Sequence, residues 1–241
     1  MITFPRVVRA EWTKLAALRS TWIVLATVIV LTVGIAGASG HHARATRLGD
    51  AFLGVDLFSL LLGVFGILMI TGEYSSGLIR ATFAAVPRRA PVLAAKAVVL
   101  LLVALPVMAV ASCGALFADR LFAGAPLPES GVVRATIGAA AAPIGLALLG
   151  LGLGALVRHT AAAITVYVLS MLVLPALLQA ALPDRLGEHV VRYVPVAAAQ
   201  GMYAADNPFR MLSPTPAALV LLAWVAAALA AGTLTLWHRD P

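Results

Sequence analysis

The sequence predicts an all-α membrane protein with six transmembrane helices, an amphipathic helix ahead of the first and a short helix between the second and third. Three observations carry this. Only 11% of the 241 residues are charged, while 62% are hydrophobic and mean hydropathy is +1.00; a soluble domain keeps about a quarter of its residues charged to cover its surface. The apolar residues arrive in six runs of about 20, and at ~1.5 Å per residue each run matches a hydrocarbon core of ~30 Å. No stretch between the runs is long enough to bury a core of its own, so residues 1–241 read as one transmembrane domain.

Residues 5–20, PRVVRAEWTKLAALRS, gather Val7, Val8, Trp12, Leu15, Ala16 and Leu18 toward one side of a helix, against Arg6, Arg9, Lys14 and Arg19. This pattern predicts a helix lying in the membrane interface with Trp12 at headgroup depth; a poorly ordered tail is the alternative. The spans follow at about 20–37, 51–71, 92–115, 135–157, 161–181 and 217–237. Ala36-Gly37-Ala38 resembles a signal-peptide cleavage site, but the long basic stretch before the first run and the later spans favour an uncleaved helix. Pro106, Pro143 and Pro175 fall inside spans and predict kinks.

Charge sets the orientation. Ten basic residues lie on the side of the N-terminus, 72–91, 158–160 and the C-terminal tail, and seven on the other. This bias predicts a cell-membrane protein with both termini cytoplasmic. A net charge of +7 and a pI near 10.5 do not point to nucleic acid, because the basic residues are scattered over loops with no basic stripe on a folded face. Cys113 is the only cysteine, which excludes an internal disulfide.

Few residues carry chemistry. Asp56 is the only acidic residue inside an apolar run, and burial in lipid directs it toward protein, water or a partner chain. Two readings stand for it: a structural hydrogen bond or interfacial position, and a substrate or conformational role. Gly138, Ala142, Gly145 and Gly152 share one side of the fourth span and predict close packing against another helix of this or another chain. Leu149 interrupts the row, and Gly150 with Gly154 forms a separate pair turned away from it.

The segment 72–91, GEYSSGLIRATFAAVPRRAP, is the most informative. Glu73, Ser75 and Ser76 suit a helix start, Leu78, Ile79, Phe83 and Ala84 supply an apolar side, Pro87 ends the helix, and Arg88 and Arg89 suit its basic end. The expectation is a short helix of about three turns along the inner surface, with an ordinary basic loop as the alternative.

RAEWTKLAALRSTW at 9–22 and TGEYSSGLIRATFAAVPRRAPVLAAK at 71–96, together with six spans, resemble the permease subunits of type-2 ABC exporters, especially the small actinobacterial kind. The resemblance implies a membrane-spanning permease whose first cytoplasmic loop is a coupling helix docking on a separate ATP-binding subunit. It assigns Glu73, Tyr74, Ser76, Leu78, Arg80, Phe83, Arg88 and Arg89 to that docking region, and 5–20 to an amphipathic connecting helix. It further implies pairing with a second permease chain, identical or not, around a path for an exported substrate, and short re-entrant helices within 183–215.

No catalytic residue, metal site or cofactor is expected, and the chain reads as a non-enzymatic subunit. There is no GxxxxGK[ST], and the two lysines, Lys14 and Lys96, sit in no phosphate loop, so if the chain is a transporter half, ATP hydrolysis must come from a partner. Ser59 and Ser170 lie in spans, while His41, His42, His159, His189 and His238 lie outside or at span edges, which disfavours an intramembrane hydrolase. His41-His42 reads as part of a solvated loop. A secondary transporter, or a non-transporting sensor or immunity module working with an ATPase, are the alternative functions.

Overall fold

The computed structural model describes residues 3–42, 48–86, 89–124, 131–204 and 211–238. Among these the protein is all-α, with no strand. Helix α1 (Phe4–Ala17) ends at an extended Leu18, where the chain turns into α2 (Arg19–His42). The Trp22 indole donates to the Ala16 carbonyl at 3.1 Å and ties the two helices at this corner. A single 3₁₀ turn at Asp50–Phe52 leads into α3 (Leu53–Ser75), followed by the short α4 (Leu78–Ala85) and the long α5 (Ala90–Ala123). Next come α6 (Val132–Val157) and a fifth span made of α7 (Thr160–Val168), a π-helical stretch Leu169–Val173, and α8 (Leu174–Ala181). Two short helices, α9 (Asp184–Val191) and α10 (Pro195–Tyr203), precede α11 (Pro214–His238). Six of these segments are long and apolar enough to cross a membrane, and they overlap the six predicted runs.

Several boundaries differ from the sequence expectation. α5 has 34 residues, or ~51 Å of helix, so it outruns the hydrocarbon and carries Asp119 and Arg120 beyond its apolar stretch. His41 sits in the last turn of α2 and not on a loop. The π-helical stretch immediately precedes Pro175, whose ring leaves no N–H for the Met171 carbonyl; the widened turn absorbs that mismatch. Pro106 and Pro143 lie within continuous α5 and α6.

α6 forms the centre of the bundle and contacts α3, α5, α7, α10 and α11. Its small residues make two faces. Gly138 lies under the Met202 carbonyl of α10, Gly145 under Leu221 of α11 and Gly152 under Ala228 and Leu229 of α11, while Ala142 is fully buried in the same core. Thus the row packs within this chain, against α10 and α11. Gly150 and Gly154 face the opposite neighbour, α3, where they meet Gly63 and Ile67–Ile70, and Gly66 of α3 in turn meets the Ala147 carbonyl. Without a hydrophobic drive between helices in lipid, such close backbone approach is the main source of attraction.

Gly150→Ala places a methyl group against the Gly63 backbone and should destabilise by about 1–3 kcal/mol, whereas Gly72→Ala meets open space and should be neutral or slightly stabilising. Thermal unfolding of the two purified variants in detergent checks this, and equal melting temperatures would refute it.

Candidate functional site

The end of the bundle that holds α1 and α4 gathers four charged side chains from three helices. On α1, Glu11 and Lys14 are three residues apart and share a face. Glu73 comes from the last turn of α3, and Lys96 from the second turn of α5. The Lys96 ammonium contacts Glu11 Oε2 at 2.6 Å and Glu73 Oε1 at 2.5 Å, and also donates to the Met69 carbonyl at 3.1 Å. Lys14 contacts Glu11 Oε1 at 2.7 Å and Glu73 Oε1 at 3.0 Å, and donates to Thr82 Oγ1 on α4 at 3.0 Å. The Thr82 hydroxyl donates in turn to Glu73 Oε2 at 3.1 Å.

Two carboxylates and two ammoniums leave the cluster neutral. The side chains of Lys96 and Glu11 are only 2% and 3% exposed, so neither charge has water to fall back on. Removing one member of such a buried set strands the others and costs about 3–5 kcal/mol. Lys14, at 31% exposed, closes the cluster on its outer side. Burial alone pulls the Lys14 ammonium down, but the Glu11 and Glu73 carboxylates outweigh it and hold the group above the ordinary 10.5.

α4 begins after Gly77, which adopts a left-handed φ of 73°, and runs for eight residues. Ile79 and Phe83 turn into the core, and Leu78 and Arg80 face outward. Arg89 stacks 5.4 Å from the Phe83 ring and donates to the Leu236 carbonyl in the last turn of α11 at 2.7 Å. Arg158, in the left-handed conformation between α6 and α7, stacks 5.5 Å from the Tyr74 ring and donates to the adjacent Thr235 carbonyl. Two guanidiniums therefore satisfy the otherwise open carbonyls at the negative end of α11. α4 is thereby fixed to α1, α3, α5 and α11 together.

Asp56 lies at the other end, in the first turn of α3. Its Oδ1 accepts hydrogen bonds from the Gln200 amide at 3.2 Å and from the Tyr203 hydroxyl, both on α10. Burial and the neighbouring Asp56 charge push the Tyr203 phenol well above its ordinary value, so it remains a donor.

Several sequence expectations change. Glu73 does not start α4; it ends α3, where a negative charge opposes the helix dipole and the two lysines offset it. α4 spans about two turns where three were expected. The expected faces of α1 hold for Val7 and Leu15, which are buried, and for Arg6 and Arg9, which are exposed; Lys14 departs from them by pointing inward and Trp12 by being 40% exposed, because the ion cluster draws Lys14 and Glu11 toward α5. Ser76 is exposed, with its hydroxyl bonded to the Gly72 carbonyl at 2.8 Å. Pro87 and Arg88 lie outside the described residues. Glu11 and Lys96 were not singled out from the sequence. The available signal was Lys96 itself, a lysine inside the apolar run 92–115, to which the reasoning used for Asp56 applies equally.

Lys96→Met should lower the stability of the detergent-solubilised chain by about 3–5 kcal/mol, while Lys14→Met, on the exposed side, should cost less. A double-mutant cycle should place a larger coupling between Glu11 and Lys96 than between Glu11 and Lys14. The raised Lys14 contributes its full stabilisation below 10.5 and loses it only as pH rises through the folded value. Melting temperatures should therefore show no loss due to Lys14 between about pH 6 and 9.

No protein-family model matches this chain, and no curated protein does.

Proposed function

We propose that this chain is the membrane-spanning permease subunit of an ATP-driven exporter of the type-2 ABC kind, working with a separate ATP-binding subunit and a second permease chain. The observation that carries the reading is α4. It is a short helix whose outer face, with Leu78 and Arg80, is exposed, and whose inner face is held to four other helices by the Glu11–Lys14–Glu73–Lys96 cluster and by Arg89. A force applied there has little slack in which to dissipate, so it reaches α3, α5 and α11 as one displacement. The chain itself supplies a path and a lever, and the partner supplies ATP binding and hydrolysis.

In this reading the α1/α4 end is cytoplasmic, in a cell membrane, with both termini on that side. The arginine and lysine bias supports the orientation. The exposed Trp12, Trp22 and Trp237 near this end suit the headgroup region. The exported substrate leaves by alternation of the spans between inward- and outward-facing arrangements. A non-transporting module that binds an ATPase would use the same α4 surface, and the transport assay separates the two.

Leu78→Asp combined with Arg80→Glu changes only exposed side chains. It should reduce co-purification of a co-expressed candidate ATP-binding subunit by roughly tenfold or more, while leaving the melting temperature near wild type. Undiminished co-purification and normal stimulation of ATPase activity in lipid would remove α4 as the docking element. For orientation, a cysteine at Ser76 in a Cys113→Ser background should resist a membrane-impermeant maleimide on intact cells and react after lysis. Labelling from outside would reverse the assignment.

A further inference from the structure

We propose that the cleft bounded by α3, the π-widened fifth span and α10 binds a hydrophobic cation, with the Asp56 carboxylate as its counter-charge. This names the substrate class of the exporter reading and rests on it. The cleft has a volume of ≈ 530 Å³, within the roughly 300–1,000 Å³ range of small-molecule sites. Its walls are mainly apolar, with Leu60, Leu146, Met171 and Pro175 among them.

The polar groups on those walls are mostly engaged already. The Ser59 hydroxyl donates to the Val55 carbonyl at 2.7 Å, and the buried Tyr167 hydroxyl donates to the Ser59 carbonyl at 3.2 Å. Asp56 differs. Both of its hydrogen bonds, from Gln200 and Tyr203, fall on Oδ1, and Oδ2 takes none among the described residues. The two donors are neutral, so they orient the carboxylate without cancelling its charge. No lysine, arginine or histidine lines the cleft among the described residues. A carboxylate in an apolar cleft with no cationic partner among the described residues is the complement of a ligand that brings one, and the apolar walls select a ligand whose positive charge sits on a hydrophobic body.

Access and position agree with this. Leu57, Leu172 and Ala176 line the cleft and are exposed, so it opens sideways, where membrane-dissolved amphiphiles concentrate. Asp56 and Glu73 stand on the same helix, 17 residues or ~25 Å apart, so α3 joins the cleft directly to the ion cluster at the other end.

The test uses the purified full chain in nanodiscs of zwitterionic phosphatidylcholine, without any ATPase, and equilibrium binding of tetraphenylphosphonium. Saturable binding is expected, with tetraphenylborate, the anionic isostere, failing to compete. Asp56→Asn keeps an acceptor for Gln200 and Tyr203 but removes the charge, and should weaken binding by at least about tenfold. Ala176→Trp fills the mouth with the carboxylate intact and should weaken it as well. Absence of saturable binding to the folded wild-type chain overturns the proposal, as does equal binding by a folded Asp56→Asn. Should Asp56→Asn not fold, equal binding by Ala176→Trp overturns it. Because no ATPase is present, cation binding by a chain that fails to associate with an ATPase would sink the exporter reading and leave this site standing. ATPase association without cation binding would do the reverse.

Discussion

The Lys96 ammonium, enclosed between the Glu11 and Glu73 carboxylates, is the constraint on which one end of this molecule depends. A lysine buried to this degree is tolerable only with its counter-charges in contact, and those counter-charges come from two other helices. α1 must therefore lie against α5, and the last turn of α3 must approach the second turn of α5. Glu73 alone would be misplaced at a helix C-terminus. With two ammoniums on it and Thr82 donating to its second oxygen, it becomes the point at which α1, α3, α4 and α5 meet. Charge neutrality within the cluster removes any need for water, and the surrounding core of Leu15, Ile79, Phe83 and Leu93 closes over it.

Elsewhere the bundle is held by contact and not by charge. α6 brings glycines to both of its faces, so α3 on one side and α10 with α11 on the other approach to backbone distance. The result is a rigid centre flanked by looser elements. α8 buries none of its residues and contacts mainly α9 and the π-helical stretch, so the second half of the fifth span stands apart from the core. The cleft beside Asp56 lies where this loose half leaves α3.

The two polar sites thus occupy opposite ends of one helix, and their environments differ in kind. Within the cluster at the α4 end each of the four charges has an opposite charge in contact. At the Asp56 end the carboxylate has only neutral donors among the described residues. A saturated cluster resists change and suits a mechanical joint; an unsaturated charge in an apolar cleft suits a transient partner.

Composition and periodicity by themselves determined the membrane class, the number of spans and the amphipathic N-terminal helix, because hydrocarbon thickness imposes a run length that is visible in any one stretch of chain. The small residues of the fourth span were legible as a packing face, and Asp56 as a residue needing company, since each signal resides in a single segment. What only the tertiary structure decided is who meets whom. Glu11, Glu73 and Lys96 are separated by 62 and 23 residues along the chain, and no local pattern reveals that they share one site. The inward turn of Lys14 on α1, with Trp12 left outward, follows from that same meeting. A helical pattern ranks lysine as polar and tryptophan as apolar, but burial is decided by the partner available on the neighbouring helix, and here that partner is a pair of carboxylates.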